Sequence, residues 1–124
     1  MENPSKEYQI LMKKIEFLNL FKQRNKAITI LTKELKTEIF TLNEQSSGLI
    51  RLGLLYVSIK DDEKAAEIFD KALHLVKDQE IPFHPNFKII FRTFNKINNS
   101  SLLAFWTDNF SKRQQFDKKY KKLF

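Results

Sequence analysis

The histidines and carboxylates that could hold a metal or form an acid–base pair in this chain of 124 residues are His74, His84 and 15 Asp and Glu, and there is no cysteine. A hydrolytic triad needs a nucleophile, a base and a group that orients the base, and no such spacing occurs around either histidine. A thiolate zinc site and a disulfide framework are both excluded. Gly48 and Gly53 are the only glycines, so no glycine-rich loop is available to cradle a phosphate. The densest run of carboxylates, Asp61-Asp62-Glu63, has two readings, a cation site or a helix start. The second fits the preference of acids for the positive end of the helix dipole. His74 reads as a helix-surface or hairpin-packing residue and His84 as a loop residue. The residues therefore predict a protein that binds and does not catalyse, with no cofactor and no metal.

Positive charge is the stronger chemical signal. The net charge is +7, and residues 112–124 carry six Lys+Arg against one acid, whereas residues 1–111 carry 16 against 14. Lys112, Arg113, Lys118, Lys119, Lys121 and Lys122 make this tail basic, and Phe116, Tyr120 and Leu123 or Phe124 fall on one stripe within it. Three readings stay open for the tail: a final helix that seals the preceding hairpin, a docking segment for an acidic partner, or a contact for nucleic acid or anionic membrane. A second cationic row, Lys88, Arg92 and Lys96, recurs at i, i+4, i+8 and so shares one helical face. Like charges so placed repel by a few tenths of a kcal/mol per pair, roughly, which an acidic partner would relieve. A solvated face is the other reading of the same row.

The elements that must position these groups are helical. Tyr8, Leu11, Ile15, Leu18 and Phe21 step by three and four, with Asn3-Pro4-Ser5 as a capped start. Ala27, Ile30, Leu31, Leu35 and Ile39 form a second stripe, and Asn43 to Gly48 reads as a break. A third helix carries Leu49, Leu52, Gly53, Tyr56 and Ile59, and a fourth Ala65, Ile68, Phe69, Ala72, Leu73 and Val76. Pro82 and Pro85 mark the longest non-helical stretch. A fifth helix then holds Phe87, Ile90, Phe91, Phe94 and Ile97, and a sixth Leu103, Trp106 and Phe110. Phe105 and Trp106 read as core of the last hairpin or as an exposed aromatic anchor. With only two Gly and three Pro, a turn-rich β fold is disfavoured. No apolar run approaches the length of a membrane span, and the acidic first residues lack a signal-peptide core, so a cytoplasmic location is expected.

Residues 64–73 (Lys-Ala-Ala-Glu-Ile-Phe-Asp-Lys-Ala-Leu) match residues 26–35 (Lys-Ala-Ile-Thr-Ile-Leu-Thr-Lys-Glu-Leu) at five of ten positions, at an offset of 38 (64 − 26). The same step forward pairs Leu49 with Phe87, Leu52 with Ile90, Tyr56 with Phe94 and Ala72 with Phe110. One helical hairpin is thus written three times, over about 5–42, 47–77 and 85–111. Within the middle copy, Leu49, Leu52-Gly53, Tyr56, Ala65, Phe69 and Ala72 stand at the spacing of a tetratricopeptide repeat, and the unit closely resembles that family. The outer copies depart from it: Ile15 and Phe91 stand at the Gly position, Glu34 at the second Ala and Leu103 at the first. Bulky residues at close-contact positions predict looser or re-angled packing there.

The resemblance implies an all-α fold, three antiparallel hairpins in a short right-handed stack with a basic C-terminal helix or tail. It also implies a groove lined by the first helix of each hairpin. That geometry places Gln9, Met12, Glu16 and Asn19 on the groove in the first unit, Ile50, Leu54, Val57 and Ser58 in the second, and Lys88, Arg92, Asn95 and Lys96 in the third. The carboxylate clamp of some family members is not implied, since Glu16 and Leu54 stand where its Asn belongs. The expected function is a protein–protein interaction module, an adaptor or an immunity-type protein, that captures an acidic or amphipathic segment. The alternative is a nucleic-acid-associated protein working through the tail. Self-association into a homodimer is left open by the uncapped ends of the stack.

Overall fold

The structure, a computed structural model, describes residues 4–124; Asn3, one of the two residues proposed to cap the first helix, lies outside them. Six α-helices run in order, α1 (Lys6–Leu20), α2 (Arg24–Glu34), α3 (Leu42–Ser58), α4 (Asp62–Leu75), α5 (Asn86–Lys96) and α6 (Ser100–Ser111). Two 3₁₀ segments follow, Lys112–Gln115 and Lys118–Leu123, and the described residues contain no strand. Each helix packs on its neighbour in sequence. Among the described residues no helix is long and apolar enough to cross a membrane.

The 38-residue period reappears in the backbone. Leu20, Ser58 and Lys96 end α1, α3 and α5, and Arg24, Asp62 and Ser100 begin α2, α4 and α6, each 38 residues after the last (58 − 20, 96 − 58). Between them Lys22, Lys60 and Asn98 take the left-handed conformation, with φ of 60°, 65° and 59°. The N–H groups of these three residues donate to the carbonyls of Asn19, Val57 and Asn95, so the same turn closes each pair of helices. Left-handed backbone costs an L-residue roughly 1 kcal/mol, and its recurrence at one register marks a shared turn geometry.

Two boundaries differ from the expected ones. α2 stops at Glu34, and Glu38 with φ 60° turns the chain, so Ile39 falls outside the helix and is 60% exposed. The polar stretch expected as a break, Asn43 to Gly48, forms the first two turns of α3. Thr41 caps this helix: its hydroxyl accepts from the Glu44 N–H while the Glu44 carboxylate accepts from the Thr41 N–H, a capping box. The second hairpin therefore begins at Leu42, and the first ends earlier than expected.

Glu44 is buried and also accepts the Ser5 N–H at 2.6 Å, tying the start of α1 to the start of α3. Burial alone would raise its carboxyl, but the hydrogen bonds from Thr41 and Ser5 favour the charged form, and the net shift is downward from 4.5. A lowered folded value means that this stabilisation is complete above the ordinary glutamate range and is lost as pH falls through the folded value. Thermal melts from pH 7 to pH 3 should therefore show a Glu44→Gln variant less stable by about 1 kcal/mol at neutral pH, with the gap closing in acid.

Two cores lie on either side of the α3–α4 hairpin. Leu52, Leu55 and Ile68 pack with Leu11, Ile15 and Leu18 of α1 and Ala27, Ile28 and Leu31 of α2. Ala65, Ala66, Phe69 and Leu73 face the other way, onto Phe87, Ile90, Phe91 and Phe94 of α5 and Trp106 and Phe110 of α6. Within the hairpin α3 and α4 approach closely at Gly53, where an added Cβ would lie 2.3 Å from Phe69 Cε1.

The basic segment closes the second core and is no free tail. Tyr120 is fully buried and its hydroxyl donates to the Ile81 carbonyl at 2.6 Å; burial pushes its phenol up to about 12, against the opposing pull of Arg113. Asp117 accepts the Phe83 N–H at 2.8 Å and the Lys119 N–H, which hold its carboxyl below the ordinary value. Arg113, named as one of the basic-tail cations, is buried and 4% exposed. Its guanidinium donates to the carbonyls of Val76, Lys77 and Gln79 and to Asn109 Oδ1, and lies over the rings of Phe110 and Tyr120. It thus satisfies carbonyls at the end of α4, where the helix dipole also favours a cation.

Candidate functional site

Helix α5 is strongly two-sided. Phe87, Ile90 and Phe94 enter the core, while Lys88, Arg92 and Asn95 stand on the opposite face. These three and Phe91 of α5, with Leu103 and Thr107 of α6 and Lys122 and Leu123 of the last 3₁₀ segment, line a cleft of about 350 Å³. Its floor is apolar (Phe91, Leu103, Leu123), Asn95 and Thr107 supply hydrogen-bonding groups, and three cations stand around it. Among the described residues no carboxylate lies within 4 Å of Lys88, Arg92 or Lys122.

The cleft has a cause in the repeat. Stepping forward by 38 carries Gly53 to Phe91, Ala65 to Leu103 and Phe69 to Thr107. In the middle hairpin the missing side chain of Gly53 admits the Phe69 ring, so α3 and α4 close on each other. In the last hairpin a phenyl ring replaces the hydrogen, and a short hydroxyl side chain replaces the phenyl. α5 and α6 are in less extensive contact than α3 and α4, and the cleft opens beside Phe91, Leu103 and Thr107.

Not all of the expected groove residues come together. Lys88, Arg92 and Asn95 line the cleft, whereas Lys96 turns to Asp62 at the start of α4, at 3.4 Å. Ile50, Leu54 and Val57 are half-buried against the core that holds α5, with Ser58 exposed at the end of α3. Met12 is half-buried on the N-terminal core, Glu16 reaches Arg51 of α3 at 3.9 Å, and Gln9 and Asn19 are exposed; all four lie on α1 and none lines the cleft. Of the basic segment, Lys112 pairs with Asp108 at 3.2 Å, Arg113 is buried, and Lys118, Lys119 and Lys121 are exposed. Sequence reasoning missed Phe91, Leu103, Thr107 and Leu123 as lining residues, although the Gly53-to-Phe91 exchange was visible as a departure from the repeat.

The other chemistry-bearing residues have structural partners. Asp61 accepts the Lys64 N–H as the cap of α4. His74 lies 3.3 Å from Asp70 Oδ1, and the same oxygen accepts the Trp106 indole N–H at 2.8 Å. Trp106 is fully buried, and Phe105 beside it is 47% exposed, so the pair divides between core and surface. His84 Nδ1 accepts the Asn86 N–H within its loop. Among the described residues no group of His, Asp and Glu is gathered that could hold a metal.

No known family, no curated protein and no solved structure matches the chain.

Proposed function

We propose that the protein is a helical-repeat binding module that captures an acidic, apolar-flanked segment of another protein in the cleft between α5, α6 and the C-terminal segment. The observation that carries this reading is the set of three cations, Lys88, Arg92 and Lys122, with no carboxylate within 4 Å among the described residues, around an apolar floor. A carboxylate seated there gains charge-assisted hydrogen bonds while an adjacent aliphatic or aromatic side chain covers Phe91 and Leu123. The work is done by binding and not by turnover.

The arrangement is read as three tetratricopeptide-like hairpins, the last modified to make the site. The recurrent turn at Lys22, Lys60 and Asn98 and the close approach of Gly53 to Phe69 support that reading. An adaptor or immunity-type protein, which must recognise one segment of one partner, is the role that such a cleft suits.

A fluorescent peptide carrying two or three Asp/Glu residues beside Leu and Phe is the probe. Saturable anisotropy is expected with the wild-type chain, weakened at least tenfold, on the order of 2 kcal/mol, by Lys88→Glu with Arg92→Glu. Both side chains are exposed, so the melting temperature should hold. If the peptide fails to bind, and a labelled single-stranded oligonucleotide binds with steep salt dependence through Lys118, Lys119 and Lys121, the nucleic-acid reading replaces this one.

A further inference from the structure

Helix α1 is apolar on two faces. Tyr8, Leu11, Ile15 and Leu18 enter the N-terminal core. On the opposite side stand Ile10, Phe17, Leu20 and, just past the helix end, Phe21, exposed by 58%, 61%, 75% and 59%. The Phe17 and Phe21 rings pack on each other with centroids 4.8 Å apart. Together the four side chains offer on the order of 400 Å² of apolar surface, within the range of the largest patch on a typical monomer, which is often functional.

Cations share this face. At 100° per residue Lys13 and Lys14 fall between Ile10 and Phe17 on the outer side of the helix, with Lys22 just beyond Phe21. Among the described residues none of the three has a carboxylate within 4 Å. Glu7 and Glu16 point to the flanks, roughly a quarter-turn away by the same spacing.

The position of the lysines selects the occupant. Protein interfaces are depleted of lysine at their centre, and here Lys13 and Lys14 are in the middle of the patch. A second copy docked antiparallel on this face would set those lysines against themselves. A lipid surface imposes neither cost: aliphatic stems lie along the acyl boundary while the ammonium groups reach the phosphates. We infer that the outer face of α1 docks the protein peripherally onto an anionic lipid surface, with Ile10, Phe17, Leu20 and Phe21 at the headgroup–acyl boundary and Lys13, Lys14 and Lys22 on headgroup phosphates. The site is separate from the cleft, and its test does not depend on the cleft's ligand.

The full chain would be sedimented at low salt with vesicles of phosphatidylcholine alone and of phosphatidylcholine with phosphatidylglycerol at roughly 3:1. Binding to the second and not the first is expected. A Phe17→Ser, Phe21→Ser variant should bind at least about tenfold more weakly with an unchanged melting temperature, because neither ring is in the core. Lys13→Glu with Lys14→Glu should abolish binding, while Lys88→Glu with Arg92→Glu should leave it intact. Absence of binding to the anionic vesicles would overturn the inference. So would binding that survives both α1 variants, or binding lost instead on reversing Lys118, Lys119 and Lys121. A lipid-free dimer dissolved by Phe17→Ser would assign the face to a second copy, and preferential binding of an acidic amphipathic peptide over vesicles would assign it to a protein; either outcome would overturn the lipid assignment.

Discussion

An Arg113→Ala variant is expected to lose about 3 kcal/mol of stability, and with it roughly 10 °C of melting temperature. The guanidinium is 4% exposed and meets the carbonyls of Val76, Lys77 and Gln79. Truncation leaves these acceptors without their donor, and leaves a void beneath Phe110 and Tyr120, over which the guanidinium lies. Removing one partner from a buried charged network costs more than the net strength of the bonds it made, because the groups left behind remain desolvated. Arg113→Lys should recover less than half of the loss, since an ammonium has no planar fork to span three carbonyls. Lys119→Ala, six residues on and exposed, should change stability by less than about 0.5 kcal/mol. Urea denaturation of the three variants tests this, and equal effects at Arg113 and Lys119 would contradict the placement of Arg113.

The second large effect is expected at Gly53. Alanine in a helix interior is favoured over glycine by about 1 kcal/mol, so a gain would be forecast from propensity alone. Contact reverses the sign. The new Cβ would lie 2.3 Å, 2.5 Å and 2.9 Å from three atoms of the Phe69 ring, which is fully buried and has no free direction in which to move. Overpacking of this kind costs about 1–3 kcal/mol, and its upper end less the propensity gain leaves Gly53→Ala about 2 kcal/mol less stable. Gly48→Ala is the control within the same helix: its nearest neighbour is the Leu35 Cδ2 methyl at 2.6 Å, the end of a side chain that can rotate, so its net change should be near zero. Combining Gly53→Ala with Phe69→Leu should cost less than the sum of the two single changes, by at least about 0.5 kcal/mol. Strict additivity would mean that the two residues do not oppose each other across the hairpin.

The middle hairpin was the most legible part of the chain because its determinants are local. Leu52, Gly53, Ala65, Phe69 and Ala72 recur at helical spacing, and every one of them is buried. The start of α3 was misplaced because its first two turns are polar by composition yet partly buried: Glu44, Ser46 and Gly48 all face inward, and Ser46 donates to the Ala72 carbonyl. The Thr41-x-x-Glu44 capping box was nonetheless present to be read. Ile39 was drawn into α2 because an apolar residue at the right interval extends a stripe whether or not the backbone continues. Arg113 was grouped with the other basic-tail cations because nothing local distinguishes it from Lys112; the carbonyls that it binds lie 34 to 37 residues earlier. Of the site, the row Lys88 and Arg92 was legible from spacing, and the α6 and C-terminal lining was not, since it depends on how three elements distant in sequence meet.

The strap formed by Arg113, Asp117 and Tyr120 has a bearing on the order of synthesis. Contacts between helices that are neighbours in sequence can form soon after both helices are made. The carbonyls at the end of α4 and the flank of Phe87 are different: they wait for residues made more than thirty positions later. Until those residues emerge, the aromatic core around Phe87 and Phe110 lacks one wall. A chain lacking these last residues would expose an apolar surface that the whole fold covers, so the second core is the part of the molecule whose completion depends most on residues distant in sequence.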